Sequence, residues 1–124
     1  MKKTWIIGFI LIIGLVVVGY NKAEANDSPT SVVKQLYDAF IKGDEKTFSE
    51  LWVNPEVALF LYGMATWSDD NADKERKDLA EILRTAKFEE TVNGDKAIVK
   101  IIKKNGSTDK FDLMKIDGKW KIYL

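Results

Sequence analysis

The chain has 124 residues with 46% hydrophobic and 31% charged content, as many basic as acidic residues, and neither histidine nor cysteine. Those values fit one small globular domain. They exclude disulfides, cysteine-based zinc sites, thiol nucleophiles and every catalytic arrangement built on histidine, which leaves only oxygen ligands for a metal.

Lys2 and Lys3 precede an uncharged, mostly apolar run over residues 5–20, followed by Ala23-Glu24-Ala25. A basic start, a short apolar run and small residues at −3 and −1 of a cleavage point describe a secretory signal peptide, cut after Ala25. The alternative is a retained membrane tether, although sixteen residues fall short of the ~20 needed to span a bilayer. The expected division is therefore 1–25 leader, 26–28 linker and 29–124 domain. The product acts outside the cytoplasm, and membrane attachment arises only if the leader is uncleaved. Val17-Val18-Gly19-Tyr20 has the form of a lipoprotein box with tyrosine in place of the lipidated cysteine.

Ser28 and Pro29 suit the N-cap and first position of a helix. Its apolar face is Val33, Leu36, Tyr37, Phe40 and Ile41, and Gly43 stops it. Asp44 caps a second, short helix with Phe48, Leu51 and Trp52 inward. Asn54-Pro55 restarts the chain. Residues 57–62 are apolar on every side, so burial is expected, as a helix closed by Gly63 or as a buried strand. Residues 64–70 read as a linker carrying an unusual Trp67. A further helix is expected over about 71–86, with Leu79, Ile82, Leu83 and Ala86 inward and pairs such as Asp73–Lys77 and Lys77–Glu81 outside.

Asn93-Gly94, Asn105-Gly106 and Asp117-Gly118 punctuate four β segments. Two-residue turns at the first and last sites pair Phe88 with Val99, Leu113 with Ile122, and Phe111 with Leu124. A two-residue loop at Asn105-Gly106 sets Lys100 against Phe111. A third loop residue, Ser107, restores Ile101–Phe111 and Val99–Leu113. One sheet face then carries Phe88, Ala97, Val99, Ile101, Phe111, Leu113, Trp120, Ile122 and Leu124 toward the helices. The other carries Glu89, Ile98, Lys100, Ile102, Lys110, Asp112, Met114, Lys121 and Tyr123. That second face is too apolar to be a plain solvated surface, and it suggests a partner or a homodimer. The expected fold class is α+β, with N-terminal helices packed on a C-terminal four-stranded antiparallel meander.

The run Val33-Lys34-Gln35-Leu36-Tyr37-Asp38-Ala39-Phe40, then Lys42-Gly43-Asp44, and the ending Lys115-Ile116-Asp117-Gly118-Lys119-Trp120-Lys121-Ile122 resemble the start and end of nuclear-transport-factor-like (ketosteroid-isomerase-like) domains. The chain is most similar there to small bacterial lipoprotein-type members, from which it departs by lacking the lipobox cysteine. The resemblance implies a cone-like fold in which a curved sheet wraps the helices around an open-ended pocket, and frequent dimerisation through the sheet. It does not imply one function, because that superfamily holds enzymes, binders and scaffolds.

The leading expectation is a non-catalytic exported binding domain, serving a protein or a small apolar ligand near Trp52, Phe60, Tyr62 and Trp67. No catalytic residue, cofactor or metal is assigned. Asp69, Asp70, Asn71 and Asp73 have the wrong spacing for a calcium loop and suit a helix start. Residues 26–86 hold 7 basic and 12 acidic residues and residues 87–124 hold 9 and 6, with no concentrated basic face for nucleic acid. The enzymatic alternative uses Glu90 or Asp112 with a tyrosine in an apolar pocket, as isomerases and hydrolases do. A third alternative is a membrane-tethered envelope accessory or immunity-type protein.

Overall fold

The computed structural model describes residues 28–124, so the expected leader and most of the linker lie outside the described residues. Four helices come first: α1 (Pro29–Lys42), α2 (Glu45–Glu50), α3 (Pro55–Ala65) and α4 (Asp69–Thr85). Four strands follow: β1 (Lys87–Asn93), β2 (Lys96–Ile102), β3 (Thr108–Ile116) and β4 (Lys119–Tyr123). The strands form one antiparallel sheet in the order β1-β2-β3-β4. This is the α+β arrangement expected from sequence, with the 57–62 segment helical. No helix among the described residues is long and apolar enough to cross a membrane.

Each helix begins where its capping residue stands. Ser28 Oγ accepts from Ser31 N at 3.1 Å while Ser31 Oγ accepts from Ser28 N at 3.3 Å, a reciprocal cap. Asp44 Oδ1 accepts from Thr47 N, Asn54 Oδ1 from Glu56 N, and Ser68 Oγ from Asn71 N. Gly43 closes α1 at φ 74°, a left-handed conformation that a side chain resists, and Asp44 N reaches back to Ala39 O at 2.8 Å. The buried face of α1 is wider than the sequence suggests. It adds Pro29, Val32 and Ala39 to Val33, Leu36, Tyr37 and Phe40, and leaves Ile41 half-buried. The reason is position: α1 packs on α2, α4 and the sheet together.

Three hairpins keep the expected faces, two of them with altered pairings. The β3–β4 turn at Asp117-Gly118 has positive φ at both residues, 52° and 80°, and pairs Leu113 with Ile122 as expected. The first turn falls on Gly94-Asp95 instead of Asn93-Gly94, with the single positive φ at Gly94. Phe88 therefore meets Ile101, not Val99. The second connection is a five-residue loop, 103–107, so Val99 meets Phe111. There Asn105 Oδ1 accepts from both the backbone N–H and the hydroxyl of Ser107, and Lys103 N donates to Ser107 O, closing a longer loop than three residues allow. Both slips are by two residues, which leaves every side chain on its face.

Ala97, Val99, Ile101, Leu113, Trp120 and Ile122 form the buried side of the sheet, and Phe88 and Phe111 pack partly against the same core. Leu124 is an exception: β4 ends at Tyr123 and the last side chain is 85% exposed, with no place in the ladder opposite Phe111. At the β4 edge, Val53 N donates to Ile122 O at 2.8 Å and Ile122 N to Leu51 O at 2.9 Å. Residues 51–53 thus cover part of an otherwise unpaired strand.

Tyr37 lies on the core side of α1, edge-on to Phe111 at 6.1 Å. Burial, and then the Asp109 carboxylate, push its phenol well above the ordinary 10.0. The folded state therefore holds this proton more tightly than the unfolded chain. Stability from this source is complete below pH 10 and is lost as pH rises beyond it. Tyr37→Phe should flatten the alkaline limb of a stability-versus-pH curve, measured by urea unfolding between neutral pH and the phenol range. Equal alkaline losses in both proteins would refute this.

Candidate functional site

The four aromatics expected to line a ligand site divide into two pairs. Trp52 and Tyr62 are 6% and 8% exposed, and Phe60 and Trp67 are 67% and 75% exposed. Trp52 and Tyr62 belong to an aromatic nest centred on Phe48. Its ring centroid lies 6.1 Å from Trp52, 5.2 Å from Tyr62 and 6.0 Å from Phe40, and Phe40 and Tyr62 are themselves 5.2 Å apart. These contacts join α1, α2 and α3. The indole N–H of Trp52 meets no acceptor among the described residues.

The outer pair belongs to α3 and the turn after it. Residues 57–62 were expected to be buried throughout, yet only Ala58 and Tyr62 of α3 are. The helix lies at the margin of a single helical layer, where one narrow face reaches the core. Leu59, Phe60 and Met64 are exposed at 42%, 67% and 57%. With Gly63 they fall at the three- and four-residue spacing of one helix face, and Trp67, in the turn just past the end of α3, continues that spacing in the sequence, giving an apolar stripe in water. Local bonds hold Trp67 outward. Thr66 Oγ1 donates to Tyr62 O at 2.8 Å, Ser68 Oγ accepts from Asn71 N, and Asn71 Nδ2 donates to Ala65 O. The residues flanking Trp67 are thus committed to the α3–α4 corner, and the indole between them is left in solvent. Of these exposed side chains, Phe60 and Trp67 are among the residues expected from sequence at a ligand site, and Leu59 and Met64 are not. The usable signal was the 59, 60, 63, 64, 67 spacing.

Helix α4 starts at Asp69, two residues earlier than expected, placing Asp69 and Asp70 in its first turn where the helix dipole favours them. Its ion pairs are Lys74–Asp78, Arg76–Asp73 and Arg84–Glu81 in place of the expected pairs through Lys77.

The two carboxylates weighed for proton transfer do not share an apolar lining. Glu90 points from β1 to the start of α1, where its Oε1 accepts from Thr30 N at 3.0 Å and Thr30 Oγ1 at 2.6 Å. It supplies the negative charge that the first turn of α1 lacks and clasps the sheet edge to the helix. Asp112 stands opposite Tyr123 as expected, on the face turned away from the helices.

That outer face has a pronounced charge character. Lys87, Lys96, Lys100, Lys110, Lys119 and Lys121 share it with Glu89 and Asp112, and Lys100 and Lys110 sit directly opposite one another. Ile98, Ile102, Met114, Ile116 and Tyr123 lie among them.

No protein-family model matches the chain, and no curated protein matches it significantly. Two solved structures are similar over most of their length. A Campylobacter jejuni protein described as an NTF2-like transpeptidase is 22% identical, with a TM-score of 0.44 over 78% of this chain and 98% of its own. A Xanthomonas campestris protein described as a calcium/calmodulin-dependent protein kinase II association domain is 15% identical, with a TM-score of 0.37 over 86% of this chain and 92% of its own.

Proposed function

We propose that the chain is an exported, non-catalytic interaction domain that docks a protein partner on the apolar stripe of α3. The observation that carries this reading is the exposure of Phe60 and Trp67, at 67% and 75%, in line with Leu59 and Met64. Solvation of four large apolar side chains on one face is unfavourable unless something covers them, and aromatic and methionine side chains are the usual anchors of an interface. The placement of Glu90 in a helix clasp and of Asp112 on the outer face supports binding over catalysis. Export rests on the sequence of residues 1–25. The outer sheet face suits a homodimer less well, since a two-fold pairing sets its lysines near one another.

The test compares the full chain with a Phe60→Ser/Trp67→Ser variant. The substitutions remove solvated groups, so the melting temperature should hold within about 3 °C while binding of an apolar surface dye falls. A loss of more than about 8 °C would show these side chains packed inside the protein in solution and end the reading. The exported product should begin at Asn26 by N-terminal sequencing. A product retaining residues 1–25 would make the domain a tethered one instead.

A further inference from the structure

Charge around the stripe says what covers it. Residues 47–73, which contain all of α3 and the α3–α4 corner, hold five acidic residues and no lysine or arginine. Glu56 lies at one end of the stripe, on the same helix face, and Asp69 and Asp70 lie just beyond Trp67 at the other. All three are exposed, and among the described residues none of them is ion-paired. An apolar strip about 12 Å long, at 1.5 Å per residue, is therefore bracketed by carboxylates without an ion-pair partner.

From this we infer that the stripe receives a cationic amphipathic helix: a segment with an apolar face at helical spacing and lysine or arginine at both ends of it. The inference rests on the stripe being a docking surface, as proposed above, and adds the chemistry of the partner. Leu59, Phe60 and Met64 repeat with the helical period and Trp67 follows in the turn after α3, so a second helix can lay its own apolar row between them for about two turns. Met64 adapts to the shape it meets, and Phe60 and Trp67 supply large rigid anchors. Basic residues at the partner's ends meet Glu56, Asp69 and Asp70, which steers encounter and fixes register.

The same charges weigh against the other occupants. A second copy pairing stripe to stripe sets acid on acid, Glu56 against Asp69 and Asp70 if antiparallel and each against itself if parallel. An anionic membrane surface is repelled for the same reason. A second copy offering its lysine-rich outer sheet face has matching charge, but a head-to-tail contact of that kind builds rings or open chains, which light scattering detects. Outside the cytoplasm, a helix of the inferred chemistry is one that also seats itself in membrane surfaces. Docking on α3 hides its apolar face and keeps it from the bilayer.

The experiment titrates the full chain into two fluorescent peptides of about 15 residues with the same leucine pattern, one with lysine and one with glutamate at the remaining positions. Fluorescence anisotropy is the readout. The lysine peptide should bind at least about tenfold more tightly than the glutamate peptide. Phe60→Ser/Trp67→Ser should weaken it by at least about tenfold. Asp69→Asn/Asp70→Asn should weaken it severalfold and reduce its salt dependence, and Lys100→Glu/Lys110→Glu should leave it unchanged. Equal binding of both peptides, lost in the Phe60/Trp67 variant, would overturn the cationic inference while sparing the docking surface. Lysine-peptide binding that survives the Phe60/Trp67 substitutions would be diffuse attraction and would overturn the inference. Light scattering that shows dimers or chains dissolved by those substitutions would make a second copy the occupant and overturn it too. Residues 1–25 are common to every variant, so they do not account for differences among them.

Discussion

Ile101→Ala should cost about 2–5 kcal/mol of folding stability, and Leu113→Ala the same, while Ile98→Ala should cost below about 1 kcal/mol. Ile101 and Leu113 lie on the helix-facing side of adjacent strands and are fully buried. Removing three carbons there forfeits their transfer energy and leaves a void that interlocked neighbours cannot close. Ile98 occupies the same strand, three residues from Ile101, but faces away from the helices and is 40% exposed. In a domain of this size 1 kcal/mol moves the melting temperature by about 4–8 °C, so the first two variants should melt on the order of 10–40 °C lower. Thermal unfolding followed by circular dichroism reads this directly. Because side chains alternate across a strand, a one-residue error in register would exchange the two groups and reverse the result.

That alternation also explains what could be read in advance. The two sheet faces were legible because apolar residues on β2 and β4 recur at period two. The pairings within them were not: Phe88 finds an apolar partner in either Val99 or Ile101, so a slip of two residues leaves no mark on the pattern. What decided between them was the conformation of Gly94 and the side-chain bonds of Asn105, which turn dipeptides only hint at. The helix starts at Ser28, Asp44 and Asn54 were legible because capping is local. Ser68 was missed because Trp67 and the aspartates beside it read as linker. The largest misreading was α3. An all-apolar run suggests burial on every side, but a helix at the edge of one layer has core on one side only, and Ala58 with Tyr62 fills it. The burial of Trp52 and Tyr62 is legible, in the inward face of the second helix and in the apolar 57–62 run, beside their expected role as ligand contacts. Their absorption into a cluster with Phe40 and Phe48 depends on contacts between separate helices, which no local pattern records.

Phe48→Ala tests that cluster and should be among the most damaging single changes in the chain, at about 3–5 kcal/mol. Phe48 is the ring that three others touch, and each aromatic pair adds about 0.5–1.5 kcal/mol to simple burial. Helix α2 has six residues, too few to persist alone, so Phe48 with Leu51 and Trp52 is what fastens it to the core. Releasing it also loosens residues 51–53 from the β4 edge. The amides of Val53 and Ile122, bonded across that junction, should therefore exchange with deuterium faster by more than the global loss of stability accounts for. Combining Phe48→Ala with Tyr62→Ala should cost less than the sum of the two, since they share one contact. Phe60→Ala, twelve residues along and equally aromatic, should change stability by less than about 0.5 kcal/mol. A cost for Phe48→Ala near that of Phe60→Ala would mean the four rings are not packed as a unit. A large difference between them separates the aromatics that hold this fold together from those it presents to a partner.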